Sequence, residues 1–315
     1  MLTVLITTYN GAPTLPEVLA AYGELEPPAG GWKLVVVDNG SVDATPQILD
    51  SFRSRLPLEV VRELRRGQNA ARNAGIPHLE GDLAVMSDDD TLPSRSWLTA
   101  LRSAADAHPD FSIFGGPILP RWPAPPPRWV LDWVPLSATY AALPPAEEGP
   151  VPPRKAYGPN VALRTSVFAD GRRFDETIGP KGRHYPMGAE TEFLLRLGEE
   201  GAHAWHCAGA VVEHIVREFQ LSEEWVLERA RRFGRGQYRL EARSWPAGPV
   251  YILGRPRHLL WRVARQHLRV TRARLGQRAE ERFRTKWWLR YLQGQMEEAR
   301  IMLHRNGKTA VAGTR

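Results

Sequence analysis

A single cysteine, Cys207, among 315 residues excludes an internal disulfide framework and suits a reducing compartment. No uninterrupted apolar run approaches the ~18–20 residues that a membrane-spanning helix needs. The N-terminus enters an apolar, strand-like segment at once, with no basic stretch ahead of a long apolar one, so no signal peptide is expected. No segment recurs with a period of roughly 20–50 residues, so no repeat architecture is expected. These absences predict a cytoplasmic chain, soluble or held peripherally on the inner face of the cell membrane. What the chain does have is an apolar fraction of 43%, enough for a substantial core.

The chain's net positive charge comes from one stretch. Between Arg255 and Arg290 there are 12 Lys or Arg and 2 Glu, a net of +10, while the whole chain carries +7. Everything else therefore sums to −3, and the basic character belongs to the C-terminal region.

The first half alternates strand and helix patterns. Leu2 to Ile6, Trp32 to Val37, Leu58 to Arg62 and Asp82 to Met86 read as strands, with helical patterns between them. Such alternation predicts a mostly parallel sheet covered on both faces, whose ligands bind at the C-terminal ends of the strands. Thr8, Asn10, Asp38, Asp88, Asp89 and Asp90 all fall at those ends. Three adjacent aspartates are a solvated acidic turn or a site for a hard divalent cation, Mg²⁺ or Mn²⁺, completed by substrate phosphates. The convergence of polar residues at neighbouring strand ends favours the cation. Asp38 suits a base imide or a ribose hydroxyl and equally suits the cap of its own turn. Arg72, in the small-residue segment Asn69 to Gly75, suits a phosphate or base, or a solvated helix face.

Four segments carry a resemblance. Val4 to Asn10, Val35 to Asp43, Asn69 to Gly75 and Ser87 to Asp90 follow one another in the order and spacing of family 2 glycosyltransferases with the GT-A fold. The resemblance covers roughly residues 1–214. It implies a Rossmann-like α/β domain, a nucleotide-diphospho-sugar donor, a divalent metal at the Asp-x-Asp motif and inversion at the anomeric carbon. It also implies donor contacts from Thr8, Asn10, Asp38, Arg72, Asp88 and Asp89, and a metal site of Asp88, Asp90 and His214. The family's base, usually the Asp of a Glu-Asp pair, falls here on Glu190 of Ala189-Glu190, which leaves Glu192 as a rival. Two other functions compete. A sugar-phosphate nucleotidyltransferase would need a glycine-rich loop after the first strand, and Thr7 to Asn10 is no such loop; a non-catalytic subunit would be expected to lose the acids.

The sequence divides into a nucleotide-sugar half (1–116), an acceptor half (117–220), a basic helical extension (221–305) and a tail (306–315). Residues 117–153 hold 12 of the 27 prolines, interleaved with Trp122, Trp129 and Trp133. This predicts a long semi-rigid loop at 117–156, neither strand nor helix, that forms an acceptor wall. Trp122, Trp129, Asn160 and Glu192 are the expected acceptor contacts. In the extension, a helix opens at Ser222 and is expected to end at Gly234 to Gly236. A second carries Leu260, Val263, Ala264, Leu268, Thr271 and Leu275 on one face and arginines on the other, and a third runs over about 281–303. Residues 255–290 are the expected contact with an anionic membrane surface, which would bring a lipid-linked saccharide acceptor within reach. No nucleic acid is expected, because no reader motif accompanies the charge.

Overall fold

Val, Ile and Leu at successive strand positions can be buried only where both faces of a sheet are covered. β1 (Leu2–Thr8) is buried along its whole length in the computed structural model. The structure describes all residues except 183, 246–248, 277 and 313–315, and the side chains of 306–312. β1 pairs in parallel with β2 (Trp32–Asp38) and β4 (Leu83–Asp88), and β2 with β3 (Leu58–Arg62). β9 (Val161–Arg164) runs antiparallel between β4 and β6 (Ile113–Gly115); β10 (Ala204–His206) and β8 (Gly149–Val151) complete the order β3-β2-β1-β4-β9-β6-β10-β8. A smaller sheet joins β5 (Thr91–Pro93), β11 (Val212–Ile215) and β7 (Ile118–Arg121).

Alternate strand residues feed two cores. Val4, Ile6 and Val36 pack with α1 (Leu15–Gly23), α2 (Thr45–Phe52) and α4 (Trp97–Ala107). Leu5, Val35 and Val37 pack on the opposite side with α3 (Gln68–Gly75) and α7 (Ala189–Glu199). The expected α/β class, with helices on both faces, is what the chain forms. β4 runs two residues past Met86, because Ser87 and Asp88 stay in register with Ile6 and Thr7 of β1. The acidic triplet therefore begins inside the strand.

The proline-rich segment is more ordered than composition predicted. It contains β7, α5 (Arg128–Trp133), α6 (Leu136–Tyr140) and β8. Prolines cluster on either side of residues 128–134, and that proline-free stretch is long enough for a short helix.

Two compact units result: residues 1–123, 140–181 and 189–216 in the first, and 124–139, 182–188 and 217–315 in the second. This replaces the division at 116 and 220, since pieces of the expected acceptor half belong with the C-terminal helices. Trp129 and Trp133 pack on Phe283, and the Met187 N–H donates to the Arg232 carbonyl.

In the second unit α8 (Glu223–Arg243) does not stop at Gly234 to Gly236. A Cβ on Gly234 would sit 2.0 Å from the Tyr291 carbonyl oxygen, and one on Gly236 would sit 1.9 Å from that of Met187. These glycines mark close backbone approach, not a helix end. α9 (Arg257–Leu275) buries Leu259, Gln266, Val270 and Ala273, while Leu268 and Leu275 of the expected apolar face are exposed. Gln266 Nε2 donates to the Thr285 carbonyl at 2.9 Å, which fixes the helix's rotation against α10 (Ala279–Ala312). α10 runs well past residue 303, through most of the expected tail; residues 313–315 lie outside those described. β12 (Tyr251–Ile252) and β13 (Arg255–Pro256) form a hairpin ahead of α9. Among the described residues, no helix is long and apolar enough to cross a membrane.

Candidate active site

Parallel register sets the floor of the site. Thr8 lies opposite Asp38 and Thr7 opposite Asp88, so three adjacent strands end together in polar residues. Asp38 is buried and its Oδ1 accepts from the Ser41 N–H at 2.9 Å. Asn10, at φ +52°, accepts from the Val42 N–H through Oδ1, and its own N–H donates to Ser41 Oγ, each at 2.9 Å. Asn10 thus ties the loop after β1 to the loop after β2, and Asp38 fixes Ser41 within the latter, which holds both in place before any ligand arrives. Thr8 Oγ1 donates to Asp89 Oδ2 at 2.5 Å and turns the middle aspartate towards β1. Sequence reasoning missed Asn39. Its amide donates to the Glu63 and Arg65 carbonyls and its Oδ1 accepts from the Gly67 N–H, which fixes the entry to α3. Its place inside the Asp-Asn-Gly-Ser turn was the available signal.

Arg72 is the buried hub. Only 2% exposed, it donates to Asn69 Oδ1 at 3.2 Å and to Asp88 Oδ1 at 3.3 Å, and pairs with Glu190 Oε1. The guanidinium expected to meet the donor is engaged here by two carboxylates and positions them. Gln68, also missed, donates to Asp88 Oδ1 at 3.0 Å. Burial pushes the Asp88 carboxyl up to about 6; Arg72 opposes that rise, and the neighbouring Glu190 and Asp90 charges add to it.

Glu190 stands in the first turn of α7, just after Gly188 at φ +94°. Gly158 makes room for it: a Cβ there would lie 2.5 Å from the Glu190 carboxyl carbon. Asn160 does something else. It is fully buried, accepts from Trp97 Nε1 at 2.8 Å and donates to the Pro117 and Ala210 carbonyls. Its expected acceptor contact is therefore corrected to a tie holding three segments. Glu192 is buried and accepts from Arg196 Nε at 2.9 Å, while Arg196 Nη2 donates to the Arg173 carbonyl. Its side chain, expected at the acceptor and as the rival of Glu190, is engaged one turn along α7. Trp129, expected at the acceptor, packs its half-buried ring 5.3 Å from that of Phe283 in the second unit.

His214 is held from behind. Its Nδ1 lies 2.9 Å from the Tyr140 carbonyl, and its Nε2 faces Asp90 Oδ1 at 3.4 Å. A backbone carbonyl on one ring nitrogen leaves the other available for a metal or an acid. Burial alone would lower its pKa, but the Asp90 and Asp88 carboxylates and the Tyr140 carbonyl raise it overall. Trp122 packs edge-on against Tyr140 with centroids 5.2 Å apart and stays half-buried.

Among the described residues, no three His, Cys, Asp or Glu side chains stand close enough to hold a metal unaided. The donor set still fits a Mg²⁺ or Mn²⁺ ion, which keeps coordination positions for substrate phosphates and needs only one or two protein carboxylates. Asp90 and His214 present an adjacent oxygen and nitrogen, and the crowded Asp88 would be the second carboxylate.

Comparison with known proteins follows the same outline. The sequence model of glycosyl transferase family 2 matches residues 3–145. The glucosyl-dolichyl phosphate glucuronosyltransferase of Haloferax volcanii is 25% identical over 223 residues, covering 69% of this chain and 68% of that one. The poly(ribitol-phosphate) beta-N-acetylglucosaminyltransferase TarS of Staphylococcus aureus is 28% identical over 108 residues, 34% of this chain and 19% of its own length. Among solved structures, the Pyrobaculum calidifontis mannosyltransferase in complex with GDP-Man and Mn²⁺ superposes with a TM-score of 0.61. It is 21% identical and covers 94% of this chain and 86% of that one. A TarS structure with UDP-GlcNAc gives 0.55 at 19% identity, over 78% and 67%. The fold is the GT-A type that the resemblance implied.

Proposed function

We propose, for a glycosyltransferase whose residues 3–145 belong to glycosyl transferase family 2, an inverting transfer from a nucleotide-diphospho-sugar to a hydroxyl of a saccharide or lipid-linked saccharide. The observation that carries this reading is the Arg72 bridge. One buried guanidinium joins Asp88, at the end of a donor-side strand, to Glu190, at the start of the helix that follows the acceptor segments. Such a bridge holds an acid for each substrate at a fixed separation, which is what positioning two reactants requires.

In this reading the loops that carry Asn10 and Asp38 receive the nucleoside, and Thr8 and Asp89 border the sugar. Glu190 takes the proton of the acceptor hydroxyl as that oxygen attacks the anomeric carbon from the face opposite the leaving group. Arg72 orients Glu190 without touching the acceptor. A bound Mg²⁺ or Mn²⁺ would be held by Asp88, Asp90 and His214 and would neutralise charge on the departing nucleotide diphosphate. Trp122 offers a ring edge for an acceptor sugar. The basic stretch 255–290 meets an anionic membrane surface on its cytoplasmic side, where lipid-linked acceptors are presented. The mannosyltransferase solved with GDP-Man and Mn²⁺ supports donor class and metal, and the dolichyl-phosphate relative supports a lipid-linked acceptor.

The test is a panel of nucleotide-sugars assayed for nucleotide diphosphate release, with the anomeric configuration of the product read by NMR. Wild type should transfer with inversion only when divalent metal is present, and Asp90→Ala should lose the metal-dependent rate while remaining folded. Full transfer in excess chelator would overturn the metal assignment, and a retained anomer would overturn the direct displacement.

A further inference from the structure

The second unit carries an apolar surface that its own fold does not cover. On α9, Trp261, Leu268 and Leu275 recur every seven residues and are 72%, 51% and 86% exposed. Arg265 and Arg272 lie between them on the same face. A groove of about 650 Å³ runs between α9 and α10, lined by Trp261, Leu268, Trp288 and Leu292 along its floor and by Arg262, Arg265 and Arg269 among its walls. Among the described residues these three arginines are exposed and make no ion pair with a carboxylate.

A second, separate feature lies just ahead in the chain. The β12–β13 hairpin turns through Leu253 and Gly254, both at positive φ, +51° and +70°. A two-residue turn of that shape favours Asn-Gly, and a leucine there is strained. Leu253 is also 96% exposed, with Ile252 and Val250 exposed beside it. Water gives no reason to keep a strained leucine at a bare tip, whereas a lipid interface does.

Three occupants would suit an apolar groove, and charge chooses among them. Helix α9 holds six arginines and no acid. A second copy would place Arg265 and Arg272 against their equivalents in the heptad seam, which like charge disfavours. Nucleic acid would use the arginines but leave Trp261, Leu275 and Leu253 without a partner. An anionic lipid uses both.

We propose that the α9–α10 groove seats one chain of an anionic membrane phospholipid, with Arg262, Arg265 and Arg269 on its phosphate and the Leu253 tip inserted beside it. This rests on the membrane reading above and sharpens it from general attraction to a defined lipid site.

The experiment uses the full chain with phosphatidylglycerol or phosphatidylcholine vesicles, with and without bromine on the acyl chains. Brominated phosphatidylglycerol should quench tryptophan fluorescence, and Trp261→Phe with Trp288→Phe should remove most of that quenching. Arg265→Ala with Arg269→Ala should weaken vesicle binding about thirty-fold, from ~1 kcal/mol per arginine near an anionic surface. Leu253→Asn should weaken it about ten-fold while raising thermal stability, a pair of opposite signs that a purely structural leucine would not give. Binding to anionic vesicles with quenching unaffected by the tryptophan changes would overturn the groove and leave the membrane reading intact. Equal binding to neutral vesicles, or none to either, would overturn both. An oligonucleotide that displaces the vesicles, with Leu253→Asn binding like wild type, would overturn the lipid as occupant.

Discussion

The two units bury charge in opposite ways. In the second, Glu298 is wholly buried and receives Arg235 Nε at 2.8 Å and Arg239 Nε at 2.5 Å, while Glu297 receives Arg231 Nη2 at 2.6 Å. Each of these two acids has its base. In the first, Asp88, Asp90 and Glu190 share Arg72 and His214, and Asp88 is pushed up to about 6 by burial with like charges beside it. Matched buried charge is a packing device, and its replacement by apolar groups is often neutral. Crowded acid is expensive and persists where a ligand of opposite charge completes it. The difference separates a scaffold from a site without reference to any relative.

The largest effect tests the crowded side. Glu190→Gln keeps the shape and removes the base, so kcat should fall by ~10²–10⁴-fold. Donor affinity should change little and thermal stability should hold or rise, since one of several crowded negative charges is gone. Steady-state rates and donor titration check this, with Glu192→Gln as the companion variant; a dead Glu192→Gln beside an active Glu190→Gln would show that the base was misassigned.

On the matched side, Glu298→Gln should do the reverse. It leaves Arg235 and Arg239 buried beside a neutral amide, a loss of ~3–5 kcal/mol measured by urea unfolding. If transfer to a soluble acceptor fell ten-fold before any unfolding, the division between scaffold and site would fail.

A close-approach prediction ranks below these. Gly234→Ala puts a methyl group onto the Tyr291 carbonyl, where the added atom has 2.0 Å to share. Separating α8 from α10 should cost ~1–3 kcal/mol, despite alanine's better helix propensity. A stabilised variant would mean that the glycine was only a weak helix residue and not a point of close backbone approach.

That glycine shows where legibility in the sequence ends. The sheet could be read because Leu2 to Ile6, Leu34 to Val37 and Leu83 to Met86 are apolar runs of strand length between turn residues, and position alone then gathers Thr8, Asp38 and Asp88 at one edge. The place of Glu190 in the first turn of a helix could be read from the segment after Gly188. Arg72 could be seen but not its role, because nothing local in α3 distinguishes a solvated arginine from one clamped between Asp88 and Glu190. The contacts of Asn160 and Trp129 were hidden for a related reason: a polar or aromatic side chain suits either a ligand or a neighbour, and sequence alone does not say which neighbour it meets. Gly234, Gly236 and the exposed face of α9 depend on which helices meet, information that periodicity does not contain.

The smallest prediction asks whether the contrast belongs to the units or to the pairing. The first unit has a matched pair of its own: Arg102, nearly buried on α4, donates to both oxygens of Asp82 at 2.8 and 3.0 Å and also pairs with Asp106. Partial burial tends to raise the Asp82 carboxyl, but the Arg102 bonds hold it below its usual range overall. A carboxyl depressed in the folded state adds stability above its unfolded pKa of ~3.9, and that stability disappears as pH falls through the folded value. Asp82 is more than half exposed, so solvent screening keeps the contribution to ~0.5–1 kcal/mol. Asp82→Asn should therefore destabilise by about that amount at pH 7 and by progressively less towards pH 3, with transfer activity unchanged. Urea unfolding of both proteins across that range reads the difference directly. A gap that persists at pH 3 would assign the loss to packing, and a loss of activity would mean that charge matters in the first unit even where it is matched.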